Sequence, residues 1–250
     1  GVEGGNSSLS LDEVKLRLLP PYQAAVDEGV GAVMASFNKM DGISMHAHKA
    51  LITDLLKGEM KFDGIVVSDW KGYSRFGEND IINAGIDMVM AVDGDLEGFQ
   101  NGLKEAVSSG VVPLTRIKDA VRRILRQKFR LGLFDKPFPD NNLINKIGLK
   151  KHREVARQAV RESLVLLKNE DNILPLKRDA KIVVVGEFCD NSGLQSGGWT
   201  VNWQGTNENY RGATTILEGF KKISSVEVAY DKFGSGKDDA DFAVIVVAET

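Results

Sequence analysis

The chain has 250 residues, 42% of them apolar and 27% charged, the balance of a globular protein large enough for one big domain or two modest ones. A net charge of −3 and a pI near 5.7 give no pull toward nucleic acid or an anionic membrane, so neither is expected as a partner. The single cysteine, Cys189, excludes an internal disulfide and supplies no metal cluster, and the apolar runs near 30–37 and 242–248 are too short to cross a bilayer as helices.

Taken in chain order, the first half alternates helix and strand. Apolar periodicity predicts helices over 11–28, 48–57, up to Ala84, 97–108 and 116–129, and strands over 31–37, 64–68 and 86–91. Pro113 leads into the last of these helices with Thr115 as a plausible N-cap, and its charges read as a solvated face opposite Ile117, Val121, Ile124 and Leu125. Strand, crossover helix and strand in this rhythm mean βαβ units and a parallel sheet. Three strands cannot close an eight-stranded barrel, which takes about 250 residues. The first half therefore reads as a small open sheet or as the back part of a barrel.

The most informative stretch is 62–70, where Ile65-Val66-Val67 runs into Ser68-Asp69-Trp70. Three β-branched residues after Gly64 read as a buried parallel strand. Asp69 then falls at its carboxyl end, where α/β enzymes keep their chemistry. An Asp in that place often only caps the following helix. Trp70 favours a site, because an indole beside a carboxylate suits stacking on a sugar ring. The other strands also end on polar or small residues, Ser36-Phe37-Asn38 and Val92-Asp93-Gly94.

Helix breakers and turn formers crowd residues 131–142, which read as a linker. Beyond it a helix is expected over 151–168, strands at 181–186, 226–230 and 242–248, and a helix over 214–222. This is a second parallel α/β region. The first residue is Gly rather than Met, no signal peptide is visible, and the last strand stops at its functional edge, so the sequence reads as part of a longer chain.

Several pieces occur in one order: Ser36 to Gly42, Met45-His46, Gly64 to Trp70, Ala84 to Met88, Ala120 to Leu125 through Gly132-Leu133-Phe134, Ser163 to Asn169 with Leu174-Pro175-Leu176, and Gly197 to Gly205. Together they resemble glycoside hydrolase family 3, of the β-glucosidase and exo-acting β-glucan glucohydrolase type, along essentially the whole chain. The resemblance implies the C-terminal part of a TIM-type barrel over 1–135, a linker and first helix region over 136–160, and the start of an α/β sandwich over 161–250. It implies a retaining exo-acting enzyme that releases glucose from the non-reducing ends of β-glucosides or β-glucans without cofactor or metal. β-Xylosidase, N-acetyl-β-glucosaminidase and a non-catalytic sugar-binding relative are the alternatives. A secreted or periplasmic location follows from the family alone, and the oligomeric state stays open.

Residue by residue, Asp69 matches the family's nucleophile, a carboxylate fixed below the anomeric carbon and able to form a glycosyl ester. Trp70 and Trp203 match the two aromatic sides of the slot for the next sugar, while Trp199 reads as packed. Phe37 stands where the family commonly has Tyr, so one hydrogen bond near the nucleophile is absent or supplied by Asn38. Asp41 replaces the usual Asn of a turn and keeps its chemistry. The family's Lys-His pair and a sugar-holding aspartate precede Gly1. A retaining mechanism needs a second carboxyl group; Glu249 is a candidate, although the family register puts the acid just past Thr250. His46 and His48 read as structural rather than metal-binding, for want of a third ligand. Asp87 reads as a group that pins backbone, and the loop 186–193 lacks the glycine spacing of a dinucleotide site.

Overall fold

In the computed structural model, residues 3–92, 94–236 and 239–248 are described, so Asp93 and Glu249 lie outside them. The chain divides into two compact units, Gly1–Ile147 and Gly148–Thr250.

In the first unit, β1 (Asn6–Ser7) is followed by α1 (Leu11–Arg17) and α2 (Pro20–Asp27). The single helix expected over 11–28 is thus two. Pro20 and Pro21 stand at the first positions of α2, where they have no N–H to continue the helix before them. Ser10 and Glu13 close a reciprocal capping box on α1.

β2 (Ala32–Met34) precedes a hairpin that sequence periodicity missed, β3 (Lys39–Met40) and β4 (Ile43–Ser44). Its turn residues Asp41 and Gly42 have φ of 50° and 77°, the two positive values that a two-residue hairpin turn requires. Next come a 3₁₀ turn at Met45–Ala47 and a π-helical segment, Ala50–Glu59. β5 (Ile65–Val67) pairs in parallel with β2, Ala32 opposite Ile65 and Met34 opposite Val67.

The helices α3 (Gly72–Arg75), α4 (Glu78–Ala84), α5 (Leu96–Ser108) and α6 (Leu114–Arg130) complete this unit. The strand expected over 86–91 shrinks to one bridge between Val67 and Met88. Ser68 Oγ takes the Met90 N–H at 2.8 Å, so a side chain replaces the next rung of the ladder. Pro113, not Thr115, occupies the N-cap of α6.

The sequence reading of α6 as a helix with a solvated basic face needs correction. Arg116 and Arg123 are only 12% and 13% exposed, whereas Val121, Leu125 and Phe129 are exposed. The inward residues answer a buried charge. Asp87, whose side chain is fully buried, accepts from Lys57 Nζ at 2.7 Å, from Arg116, and from the Val66 N–H at 2.9 Å. Arg116 also donates to the Ile82 and Ile86 carbonyls, and Arg123 to those of Phe62 and Gly64. The reading of Asp87 as a pin for backbone holds, with a wider network than expected. Phe62, Val66, Ile81, Ile86 and Val112 form the centre of the apolar core.

In the second unit, α7 (Lys150–Ser163) stops five residues short of the expected end, with Leu164 already extended and Ser163 Oγ donating to the Val160 carbonyl. The sheet has β6 (Ile182–Val185) between β7 (Ala229–Asp231) and β8 (Phe242–Ile245), all parallel. Two helices lie between β6 and β7 in sequence, α8 (Ser192–Ser196) and α9 (Ile216–Ile223), the latter entered through a Thr215–Glu218 capping box. Ile182, Val184, Cys189, Leu217 and Val228 make the core.

Candidate active site

Asp69 follows β5 after Ser68, half-buried past the carboxyl end of a parallel strand. Its carboxylate does not cap the next helix: Lys71 is the N-cap of α3, which has no side-chain cap bond. Oδ1 accepts instead from the adjacent Trp70 N–H at 2.6 Å. Among the described residues Asp69 makes no ion pair of the kind that consumes Asp87. The capping alternative to chemistry is thereby removed.

The main chain of Asp69 is fixed from three directions. Its N–H donates to His46 Nε2 at 2.9 Å, and its carbonyl accepts from Ser68 Oγ and from the Gly72 N–H, both at 3.0 Å. Ser68 and His46 are fully buried. The role of Ser68 is missing from the sequence reading, although a hydroxyl at the end of an otherwise apolar strand was its signal.

His46 belongs to a cluster of three rings with Phe37 and Phe76, whose own centroids are 5.6 Å apart. Its centroid lies 4.5 Å from that of Phe76 and 6.1 Å from that of Phe37, with interplanar angles of 14° and 23°. The Arg75 guanidinium lies over Phe37, 4.4 Å from the ring centre. Burial holds the His46 pKa below its ordinary value, opposed by Asp69 and the Ser36 main chain and assisted by Arg75. His48, two residues on, instead accepts the Leu51 N–H on Nδ1 at 3.4 Å. No group of three or more His, Cys, Asp or Glu among the described residues could hold a metal ion.

Gly72 belongs to this site for a steric reason. A Cβ there would sit 2.7 Å from Ser68 Cβ and 3.1 Å from His46 Cδ2. Gly72→Ala is expected to destabilise the protein by about 1–3 kcal/mol through overpacking. Gly98→Ala, in α5 with open space around the new methyl, is expected to be neutral or to stabilise by up to about 1 kcal/mol. Urea titrations of the two variants check this contrast.

Trp70 is 56% exposed. In the second unit, Trp203 sits on a tight loop: the Trp199 N–H donates to the Trp203 carbonyl at 2.9 Å, and Tyr210 Oη donates to the Thr200 carbonyl at 2.7 Å. Gly205 is required, since a Cβ on it would lie 2.5 Å from the Gly197 oxygen. Trp199 and Val201 have φ of 61° and 63°, a strained choice for a bulky and a β-branched residue. The loop leaves Trp203 70% and Trp199 83% exposed. Trp199 is thus not packed, contrary to its sequence reading, because the cross-loop bonds turn both indoles outward. No helix of the described residues is long and apolar enough to cross a membrane.

Comparison with known proteins agrees with both units. Residues 1–127 match the glycosyl hydrolase family 3 N-terminal domain and residues 164–250 its C-terminal domain. The chain belongs to glycosyl hydrolase family 3. It is 35% identical to a lysosomal beta glucosidase of Dictyostelium discoideum over 83% of its length, and 34% identical to a periplasmic beta-glucosidase of Salmonella typhimurium over 80%. It also superposes on an exo-1,3/1,4-beta-glucanase from a Pseudoalteromonas species with a TM-score of 0.89, 36% identity and 98% coverage. The chain spans 27% and 28% of the two relatives and 32% of the solved structure.

Proposed function

We propose that this chain carries the nucleophile half of a retaining, exo-acting β-glucosidase or β-glucan glucohydrolase that removes glucose from non-reducing ends. The observation that carries the reading is Asp69: a half-buried carboxylate at a strand end, fixed through its main chain and unspent on an ion pair or helix cap. In this mechanism Asp69 attacks the anomeric carbon to give a glycosyl ester, a second carboxyl group protonates the departing oxygen, and water then cleaves the ester. The β-glucosidase and exo-glucanase relatives support glucose as the released unit. The lysosomal and periplasmic relatives support a location outside the cytosol.

On this reading Trp70, Phe37 and Trp203 contact sugar, with the two exposed indoles offering apolar faces to the C–H surfaces of a ring. Residues 1–135 are the C-terminal part of a TIM-type barrel, 136–160 a linker and first helix region, and 161–250 the start of an α/β sandwich. The parallel pairing in each unit supports that assignment.

The test is hydrolysis of laminari-oligosaccharides by the full-length protein, with product followed by proton NMR. β-Glucose as the first-formed anomer and one residue lost per event are expected; inversion, or internal cleavage, would contradict the reading. Trp203→Ala is expected to lower disaccharide turnover about 10-fold or more, in keeping with the roughly 1.5–3 kcal/mol that a buried aromatic contributes. Turnover of an aryl glucoside, whose leaving group needs less help, is expected to fall less. Steady-state kinetics on both substrates measures the difference.

A further inference from the structure

We propose that His46 is a positioning residue for the Asp69 nucleophile, acting as a neutral imidazole whose Nε2 accepts the Asp69 main-chain N–H. The inference rests on the reading of Asp69 given above and adds a residue, and a pH dependence, to it.

The N–H in question belongs to the second residue past β5, beyond Ser68, where the strand ladder has ended. With His46 absent, that part-buried donor would have no ladder partner, and the carbon carrying the carboxylate would be free to rotate away from the strand direction. The other two bonds at this residue, from Ser68 Oγ and Gly72 N–H, hold only its carbonyl. His46 is therefore what fixes the near side of the nucleophile.

The ring cannot adjust to lose this bond. It is fully buried, lies nearly parallel to Phe76 in a cluster of three rings with Phe37, and stands where a single methyl added at Gly72 would come within 3.1 Å of its Cδ2. A ring so enclosed presents Nε2 in one direction. Accepting there requires that Nδ1 carry the proton. Nδ1 is itself buried and makes no close hydrogen bond, with the Ser36 main chain the one backbone group that favours a proton on the ring, so the bond to the Asp69 N–H is the ring's one short polar contact.

Protonation at Nε2 would replace an acceptor with a donor facing another donor. The charged groups that act on the ring are Asp69 on the strand end, which favours the proton, and Arg75 on α3, which opposes it; no charged group of α4 or of the π-helical segment contributes. Burial outweighs the attraction and keeps the pKa below the ordinary histidine value. The unfolded chain thus binds the proton first as pH falls below about 6.5. Both the stability contributed by this contact and the alignment of Asp69 are retained above that pH and decline on the acid side.

The experiment combines an amide titration with two substitutions. In ¹⁵N-labelled protein, the Asp69 amide resonance is expected to shift with the same midpoint as the His46 ring, below the ordinary histidine value. In the full-length protein, His46→Phe keeps an aromatic ring but no acceptor, and is expected to lower kcat roughly 10- to 100-fold, the range for a part-buried donor left unpaired and a nucleophile slightly misplaced, with KM little changed. His46→Gln, whose amide oxygen can reach the same N–H, is expected to recover most of kcat and to lose the His46-dependent part of the acid limb.

An Asp69 amide that ignores the His46 titration, or equal losses in the Phe and Gln variants with an unaltered pH profile, would overturn the proposal. Should the Phe variant fail to fold, the wild-type amide titration and the Gln profile still decide it. A wild type without β-glucoside turnover would overturn the proposed activity and leave the titration to judge His46 by itself.

Discussion

Asp69→Asn in the full-length protein is expected to cut β-glucoside turnover by roughly 10⁴-fold or more with little change in stability. The size follows from chemistry. Without the carboxylate no glycosyl ester forms, and an amide oxygen is a poor substitute for the negative charge that attracts the oxocarbenium-like carbon. The small structural cost follows from the contacts: the three bonds that hold this residue use its main chain, and the carboxylate's own bond is to the neighbouring Trp70 N–H. Asp69→Gly adds a sharper outcome. It opens space beneath the sugar, so azide with an activated aryl β-glucoside is expected to restore turnover and to give the α-glucosyl azide. Kinetic assays with chromatography of the azide product check both parts.

Removing Asp87 should act on stability instead. Its fully buried carboxylate is the common partner of Lys57 and Arg116, which are themselves 6% and 12% exposed. Asp87→Ala leaves Lys57 and Arg116 with only the partly exposed Asp119 as a shared anion, 3.7 Å and 2.7 Å away, and a loss of about 3–5 kcal/mol is expected. The Val66 N–H inside β5 loses its acceptor as well.

The pH dependence of that loss has a definite sign. Burial lowers the Lys57 pKa to about 8, so between there and its ordinary value near 10.5 the unfolded chain holds a proton that the folded chain has released. Wild-type stability contributed by this group accordingly rises with pH across the window. Asp87 itself raises the Lys57 pKa, so its removal lets folded Lys57 lose its proton at a lower pH than in the wild type, and the deficit of Asp87→Ala is expected to be largest on the acid side, where Lys57 is charged in both proteins. It should narrow as pH rises to about 8 and stay level above, where Lys57 is neutral in both folded proteins. Urea unfolding at pH 7 and pH 9.5 measures the difference.

The sequence made some of this legible and hid the rest for physical reasons. Ile65-Val66-Val67 announces a buried strand, and chain order alone puts Asp69 just past its carboxyl end, so the position of this candidate residue was legible without the structure. The parallel pairing of β2 with β5 followed from the helix between them. α6 misled because its apolar residues have ideal helical spacing, yet the buried Asp87 holds Arg116 inward, and the partly exposed Asp119 links Arg116 to Arg123. A buried carboxylate 29 positions away from Arg116 leaves no mark on the helix's own pattern. The contact between His46 and Asp69 spans 23 residues and involves a backbone N–H, which every residue but proline has, so side-chain chemistry could not point to it. The strain at Trp199 and Val201 was likewise invisible, because it arises from cross-loop bonds rather than from residue preference.

The central claim is that Asp69 forms a covalent bond with the sugar. Incubating the full-length protein with an activated 2-deoxy-2-fluoro-β-glucoside slows ester cleavage more than ester formation, so the intermediate accumulates. Proteolysis and peptide mass spectrometry should then find one fluoroglucosyl group on the peptide containing residues 62–71, attached at Asp69. A label on any other carboxylate, or steady hydrolysis of β-glucosides with no label at Asp69, would contradict the account.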